Sequence, residues 1–223
     1  MNYRIVLDGP SGSGKSTIAK RLSAELGFVY VDTGAMYRSI GLYCLQNNVD
    51  IADQAAVVAA LPDINIELKY VDGEQRIILN GTDVSKEIRI NEVSMAASKV
   101  SAYKEVRAFL LESQRNMAKT QSVIMDGRDI GTVVLPDAEI KIFIVAAAEE
   151  RAKRRYKELI ERGQNVPFEE VLQDIITRDY NDTHRQEAPL RQAEDAVLLD
   201  TSLLDFEQSY NAVLQLAKSK MTE

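Results

Sequence analysis

The segment Gly9-Pro10-Ser11-Gly12-Ser13-Gly14-Lys15-Ser16 has the spacing G-x-x-x-x-G-K-S. Those residue types hold phosphate. The glycines let successive backbone N–H groups turn inward into an anion nest, and a helix opening at Lys15 adds its partial positive charge. Lys15 reaches the β- and γ-phosphates of a nucleoside triphosphate, and the Ser16 hydroxyl is a ligand for Mg²⁺. Gly9, Ser11, Gly12, Ser13 and Gly14 form the cradle, with Thr17 in the first helical turn, so Mg²⁺ and ATP are the expected occupants. The loop names the donor but not the job, since switches, motors and small-molecule kinases all use it. A guanine-reading N-K-x-D segment is not found in the sequence.

A kinase needs a second cationic site for its acceptor, and two segments qualify. Val123-Ile124-Met125-Asp126-Gly127-Arg128-Asp129-Ile130-Gly131-Thr132 is an apolar strand ending in carboxylates, glycines and an arginine. Asp126 at the strand end suits holding Mg²⁺ through water, and Arg128 suits facing a ligand outside the carboxyl ends of a parallel sheet. The bland alternative is a tight turn in which Asp and Gly serve geometry alone. Asp32-Thr33-Gly34-Ala35-Met36-Tyr37-Arg38 joins a helix start to an arginine, which is either routine capping or a second phosphate wall. Arginines also crowd the stretch Arg151, Arg154, Arg155, Arg162, Arg178, Arg185 and Arg191.

The elements that position these residues follow from periodicity. Arg4–Leu7, Phe28–Val31, Gln121–Met125, Ile140–Val145 and Ala196–Leu199 read as five strands. Helices alternate with them: one from Lys15 with Ile18, Leu22 and Leu26 on one face and Gly27 at its end, one over 34–47, and one over 206–218. Val106, Phe109, Leu110 and Met117 read as the buried stripe of a further helix. Alternating strands and helices predict an α/β fold with a parallel sheet covered on both sides. Residues 63–87 break the rhythm. Ile64–Leu68 alternates, Val71-Asp72-Gly73-Glu74 has turn chemistry, and Arg76–Leu79 leads into Asn80-Gly81, a hairpin with scope for a third strand.

Composition narrows the setting. The 223 residues suffice for one sizeable core, and a net charge of −7 argues against binding duplex nucleic acid over the whole surface. One cysteine, Cys44, excludes a disulfide framework, and one histidine, His184, disfavours a His/Cys metal cluster. A reducing cytoplasm fits. Cys44 is expected to pack as a small apolar residue and His184 to lie near a hinge. The opening residues read as a strand entering a loop, not a secretory leader, and no apolar run is long enough to span a bilayer.

In order along the chain, G-P-S-G-S-G-K-S, D-T-G-A-M-Y-R, the β insert, D-G-R-D-I-G-T and R-D-Y-N-D-T-H-R together resemble the bacterial cytidylate kinases, a branch of the nucleoside monophosphate kinases. The resemblance implies a P-loop fold with a five-stranded parallel sheet, a helical lid over about 149–165 and an insert in the acceptor-binding region. Its division of the chain is a core over 1–62, 88–148 and 186–223 that includes the acceptor-binding helices, an insert over 63–87, and a lid with its following helix over 149–185. It implies that Arg38 and Arg128 bind the acceptor phosphate with Thr33 and Arg185 close by. Asp182 and Arg178 contact the ribose. Ser98, Arg107 and Asp129 contact cytosine, Arg154 touches the donor phosphates, and Asp200-Thr201-Ser202 lies near the donor adenine. Read alone, Arg107 is equally a solvent-facing residue beside a buried stripe, and Arg178 with Asp182 is equally a helix-surface ion pair.

The implied reaction is in-line transfer of the γ-phosphoryl of ATP onto CMP or dCMP, with Lys15, Arg128, Arg154 and Asp126 as the catalytic set. The nucleophile is an anionic phosphate oxygen, so no general base is needed, in keeping with a single histidine. Cytosine offers an amine donor and a bare N3 acceptor. Asp129 and Ser98 suit the amine and Arg107 suits N3, whereas uracil reverses both edges. Such buried mismatches cost about 1–3 kcal/mol each. The alternatives are a kinase for UMP, dTMP or shikimate, and a P-loop ATPase or switch whose insert binds a partner. A monomer that acts on small nucleotides, away from nucleic acid and membrane, is the default expectation.

Overall fold

The structure is a computed structural model and describes residues 2–71, 74–161 and 163–222. The turn expected at Asp72-Gly73, and Arg162 of the arginine cluster, lie outside the described residues. The chain divides into two compact units, one of Met1–Tyr30 with Thr120–Glu223 and the other of Val31–Lys119.

The first unit carries the parallel sheet. Its strands are β1 (Arg4–Asp8), β2 (Val29–Asp32, which runs on into the second unit), and, numbered past three strands of the second unit, β6 (Val123–Gly127), β7 (Ile140–Val145) and β8 (Val197–Asp200), in the order β2-β6-β1-β7-β8. β1 runs parallel to both β6 and β7, and β7 runs parallel to β8. The register pairs Leu7 with Asp126 and Asp8 with Gly127, which sets the loops after β1 and β6 side by side. That is where an open α/β sheet binds ligands. β2, β6 and β8 sit one or two residues further toward their carboxyl ends than the sequence pattern predicts, so Asp32, Asp126 and Asp200 belong to strands. Ile5, Leu7, Ile124, Ile142 and Ile144 of the sheet pack with Ile18 and Leu22 of α1 (Lys15–Leu26) and with Tyr210 and Val213 of α8 (Phe206–Thr222). The remaining helices of this unit are α6 (Ala148–Glu161) and α7 (Phe168–His184). Among the described residues no helix is long and apolar enough to cross a membrane.

The second unit has its own core. α2 (Thr33–Gln46), α3 (Gln54–Ala60), α4 (Asn91–Val100) and α5 (Lys104–Met117) surround Met36, Ile40, Val57, Ile88, Val93, Val106 and Leu110. Cys44 is fully buried in it. The insert is an antiparallel sheet of β3 (Ile66–Val71), β4 (Glu74–Leu79) and the short β5 (Thr82–Asp83). It joins the same core through Ile77 and Leu79, with Ile66 and Leu68 packed alongside. Asn80 at φ 48° and Gly81 at φ 84° form the two-residue turn between β4 and β5, a conformation that Asn-Gly adopts most readily. The expected stripe on α5 is corrected at one position. Phe109 is 39% exposed and Gln114 only 1%, because Val106, Leu110 and Gln114 fall at i, i+4 and i+8.

Candidate active site

The loop after β1 has the geometry its sequence demands. Gly9 adopts φ 151° and lies against β7, where an added Cβ would sit 2.0 Å from the Ile144 carbonyl oxygen. No described side chain caps the N-terminus of α1, so its first N–H groups are left to whatever the loop receives. Lys15 is buried and donates from Nζ to the Pro10 carbonyl at 2.9 Å. Burial first, and then the charge of Arg128, holds its ammonium well below the usual lysine range. Ser16 Oγ donates to Asp126 Oδ2 at 2.6 Å, and Tyr30 donates to Asp126 Oδ1 at 2.8 Å. Ser16 and Asp126 are therefore a matched pair of hard oxygen donors, the set that suits Mg²⁺. Arg154 lies beside the same loop, donating to the Thr201 carbonyl at 2.8 Å and to the Ser13 carbonyl at 3.5 Å. The Ser13 hydroxyl is buried with no partner among the described residues.

At the end of β6 the structure brings together Arg128, Asp129, Arg178, Asp182 and Arg185. Arg128 Nε donates to Asp182 Oδ2 at 2.7 Å, and Arg185 Nη2 donates to Asp129 Oδ1 at 3.3 Å. Burial pushes the Asp182 carboxyl up, but the Arg128 and Arg178 charges outweigh it and hold the group below the usual carboxylate range. Arg178 bears on two groups: its charge acts on Asp182, and its Nη1 donates to the Ser11 hydroxyl at 3.1 Å. Beyond Asp129 the chain forms a π-helical turn over Ile130–Val134, closed by Leu135 N–H to the Ile130 carbonyl at 2.7 Å.

Thr33, Arg38, Ser98 and Arg107 belong to the second unit. Thr33 is buried at the first position of α2, whose N-cap is Asp32, accepting from the Ala35 N–H at 2.8 Å. The same carboxylate pairs with Arg89 at 3.0 Å and with Arg38 at 3.8 Å. Burial raises Asp32, but the Arg89 and Arg38 charges prevail and keep it below its usual range. Gln75 of β4 accepts from the Asp32 backbone N–H at 3.3 Å, so the insert braces this helix start. The Ser98 hydroxyl is buried with no partner among the described residues. Arg107 lies over the Tyr37 ring, 5.6 Å from its centroid, and Nη1 reaches the Ser101 carbonyl at 3.4 Å.

Sequence reasoning passed over several residues that hold this machinery. Asp8 is buried and accepts from the N–H groups of Ile130 at 3.0 Å and Gly131 at 2.7 Å, which fixes the turn behind Asp129. Burial pushes its carboxyl up to about 7 against the lowering effect of those two bonds. Tyr30 is legible only as a strand residue and Arg89 carries no sequence signal, because their partners Asp126 and Asp32 are distant in sequence. His184 stacks on Tyr180 in the last turn of α7, with ring centroids 4.1 Å apart.

The family model and the curated relatives agree on one family. The model for cytidylate kinase matches residues 5–219. A cytidylate kinase of Caldicellulosiruptor bescii is 51% identical over 212 residues, covering 95% of this chain and 94% of that protein. One of Thermosipho melanesiensis is 49% identical over 220 residues, covering 99% of each. A solved structure of an uncharacterized protein from Eubacterium ventriosum shares the fold, with a TM-score of 0.54 at 12% identity over 98% of this chain and 99% of that one. At such identity over nearly its whole length, the chain belongs to the cytidylate kinase family.

Proposed function

We propose that the protein transfers the γ-phosphoryl of ATP to CMP, and to dCMP, giving ADP and the corresponding diphosphate. The observation that carries this reading is the pairing of two cations in one unit. Lys15 opens the helix that follows β1, and Arg128 directly follows the paired strand β6, whose register sets Asp8 opposite Gly127. A second cation beside the phosphate loop suits a kinase, which must offset repulsion between two polyanions. Ser16 and Asp126 are the residues that would hold Mg²⁺, which would supply charge neutralisation on the donor phosphates. Lys15 and Arg154 bind the donor phosphates. Arg38, Arg128, Thr33 and Arg185 bind the acceptor phosphate, and Arg178 and Asp182 the ribose. Ser98, Arg107 and Asp129 read the base: two acceptors for the cytosine amine and a donor for N3.

The acceptor oxygen is already anionic near neutral pH, so positioning and charge neutralisation are the catalysis and no base is assigned. Residues 149–165 act as a lid whose closure excludes water and suppresses ATP hydrolysis. The chain works as a monomer in the cytoplasm, on free nucleotides. One coupled assay with ATP and each of CMP, dCMP, UMP, AMP and dTMP tests the reading. Preferred turnover of CMP and dCMP is expected. Equal turnover of UMP and CMP would sink the assignment of Ser98, Arg107 and Asp129, and ADP release without any acceptor would sink the kinase reading.

A further inference from the structure

The phosphate loop is gripped from outside by a buried arginine. Arg151, in the first turn of α6, has a side chain only 5% exposed, and its guanidinium is almost fully committed. Nε donates to the Ala146 carbonyl at 2.8 Å and Nη1 to the Ser11 carbonyl at 2.9 Å. Nη1 and Nη2 also close a two-pronged pair on Asp179 of α7. The loop rests on the same residue: an added Cβ at Gly12 would come within 3.2 Å of Arg151 Cβ and 3.3 Å of its carbonyl oxygen. Ser11 is thus held twice, at its carbonyl by Arg151 and at its hydroxyl by Arg178.

An anion nest works only if its N–H groups face inward, which requires its carbonyls to face outward and be held there. With no nucleotide bound, the crowded inward N–H dipoles repel one another, and an outward carbonyl fixed by a buried charge opposes their relaxation. We infer that Arg151, oriented by Asp179, is a positioning residue for the ATP site: it fixes the Ser11 carbonyl outward so that the loop is formed before the donor arrives. Arg151 acts through Ser11 and needs no contact with ATP. Lysine is no substitute, because a point charge cannot serve three carbonyl and carboxylate partners in one plane.

This inference rests on the reading of Gly9–Ser16 as the ATP site, and the test separates the two. ATP binding is measured directly by calorimetry for the wild type, and KM for ATP and for CMP is measured for Arg151→Lys, Asp179→Asn and the exposed control Lys119→Ala. Failure of the wild type to bind ATP would overturn the site itself. With the site intact, Arg151→Lys and the milder Asp179→Asn are expected to raise KM for ATP between about 10- and 100-fold, the scale on which small misplacements act. KM for CMP and kcat at saturating ATP stay within about twofold, as expected when only the formation of the donor loop is impaired, and Lys119→Ala matches the wild type. A generic loss of structure raises both KM values together or lowers kcat. That outcome, or an unchanged KM for ATP in Arg151→Lys, overturns the positioning role.

Discussion

Arg107 and Arg38 are both arginines of the second unit, yet they are assigned to different parts of the acceptor and should fail differently. Arg107→Met removes the donor to the base and is expected to erode the preference for CMP over UMP by roughly 1–3 kcal/mol, about 5- to 150-fold in kcat/KM. Arg38→Ala removes a phosphate contact and is expected to weaken CMP and UMP alike. Equal losses for the two nucleotides in Arg107→Met would remove it from base reading. Gly9 makes a prediction of another kind. An alanine there meets the Ile144 carbonyl oxygen at 2.0 Å in a backbone conformation that L residues rarely adopt. Gly9→Ala is expected to cost roughly 2–5 kcal/mol from strain and overpacking together, read as a lower urea midpoint. The loop was legible in the sequence because glycine at fixed spacing is a backbone requirement. The roles of Asp8, Arg151 and Arg89 were not, because each is defined by a partner far along the chain: Ile130, Asp179 and Asp32.

At the level of elements, the insert and the parallel sheet were readable from local pattern, since hairpin turns and apolar strand runs carry their own chemistry. The stripe on α5 was not fully readable. Hydrophobicity favoured Phe109, but helix geometry turned Gln114 inward and left Phe109 at the surface. The packing of α2 on α4 sets two rules against each other. Gly41 lies in the middle of α2, where replacement by alanine gains about 1 kcal/mol in helix propensity. An added Cβ there would lie 3.0 Å from the Ala97 backbone nitrogen and 3.1 Å from Ala96 Cβ. Backbone yields less easily than a side-chain tip, so the overpacking cost of about 1–3 kcal/mol should win. Gly41→Ala is expected to lower thermal stability, and a raised Tm would show that the two helices move apart freely.

Across the whole molecule, buried carboxylates set opposing pH windows. Asp32 and Asp182 are held below their usual range, so their stabilisation is present above about pH 4, the unfolded value, and is lost as pH falls through their folded values. Asp8 has the opposite sign. With its folded value raised to about 7, the folded chain holds the extra proton between about pH 4 and 7, so stability falls as pH rises through that window. The slope from this one group is at most about 1.4 kcal/mol per pH unit. Urea unfolding from pH 4 to 8 should show the wild type losing stability relative to Asp8→Asn as pH rises, and parallel curves would exclude Asp8 as the source. The fully buried Cys44 has a practical consequence on the same scale. It is the chain's one thiol, and burial pushes it up and out of reach of reagents. The native protein is therefore expected to resist labelling by maleimides, read as the absence of a mass shift. A cysteine introduced by Lys157→Cys, at a side chain 79% exposed on α6, would carry a single fluorophore with no native residue first removed, and a change in its emission on adding ATP and CMP would test the proposed lid movement of that helix.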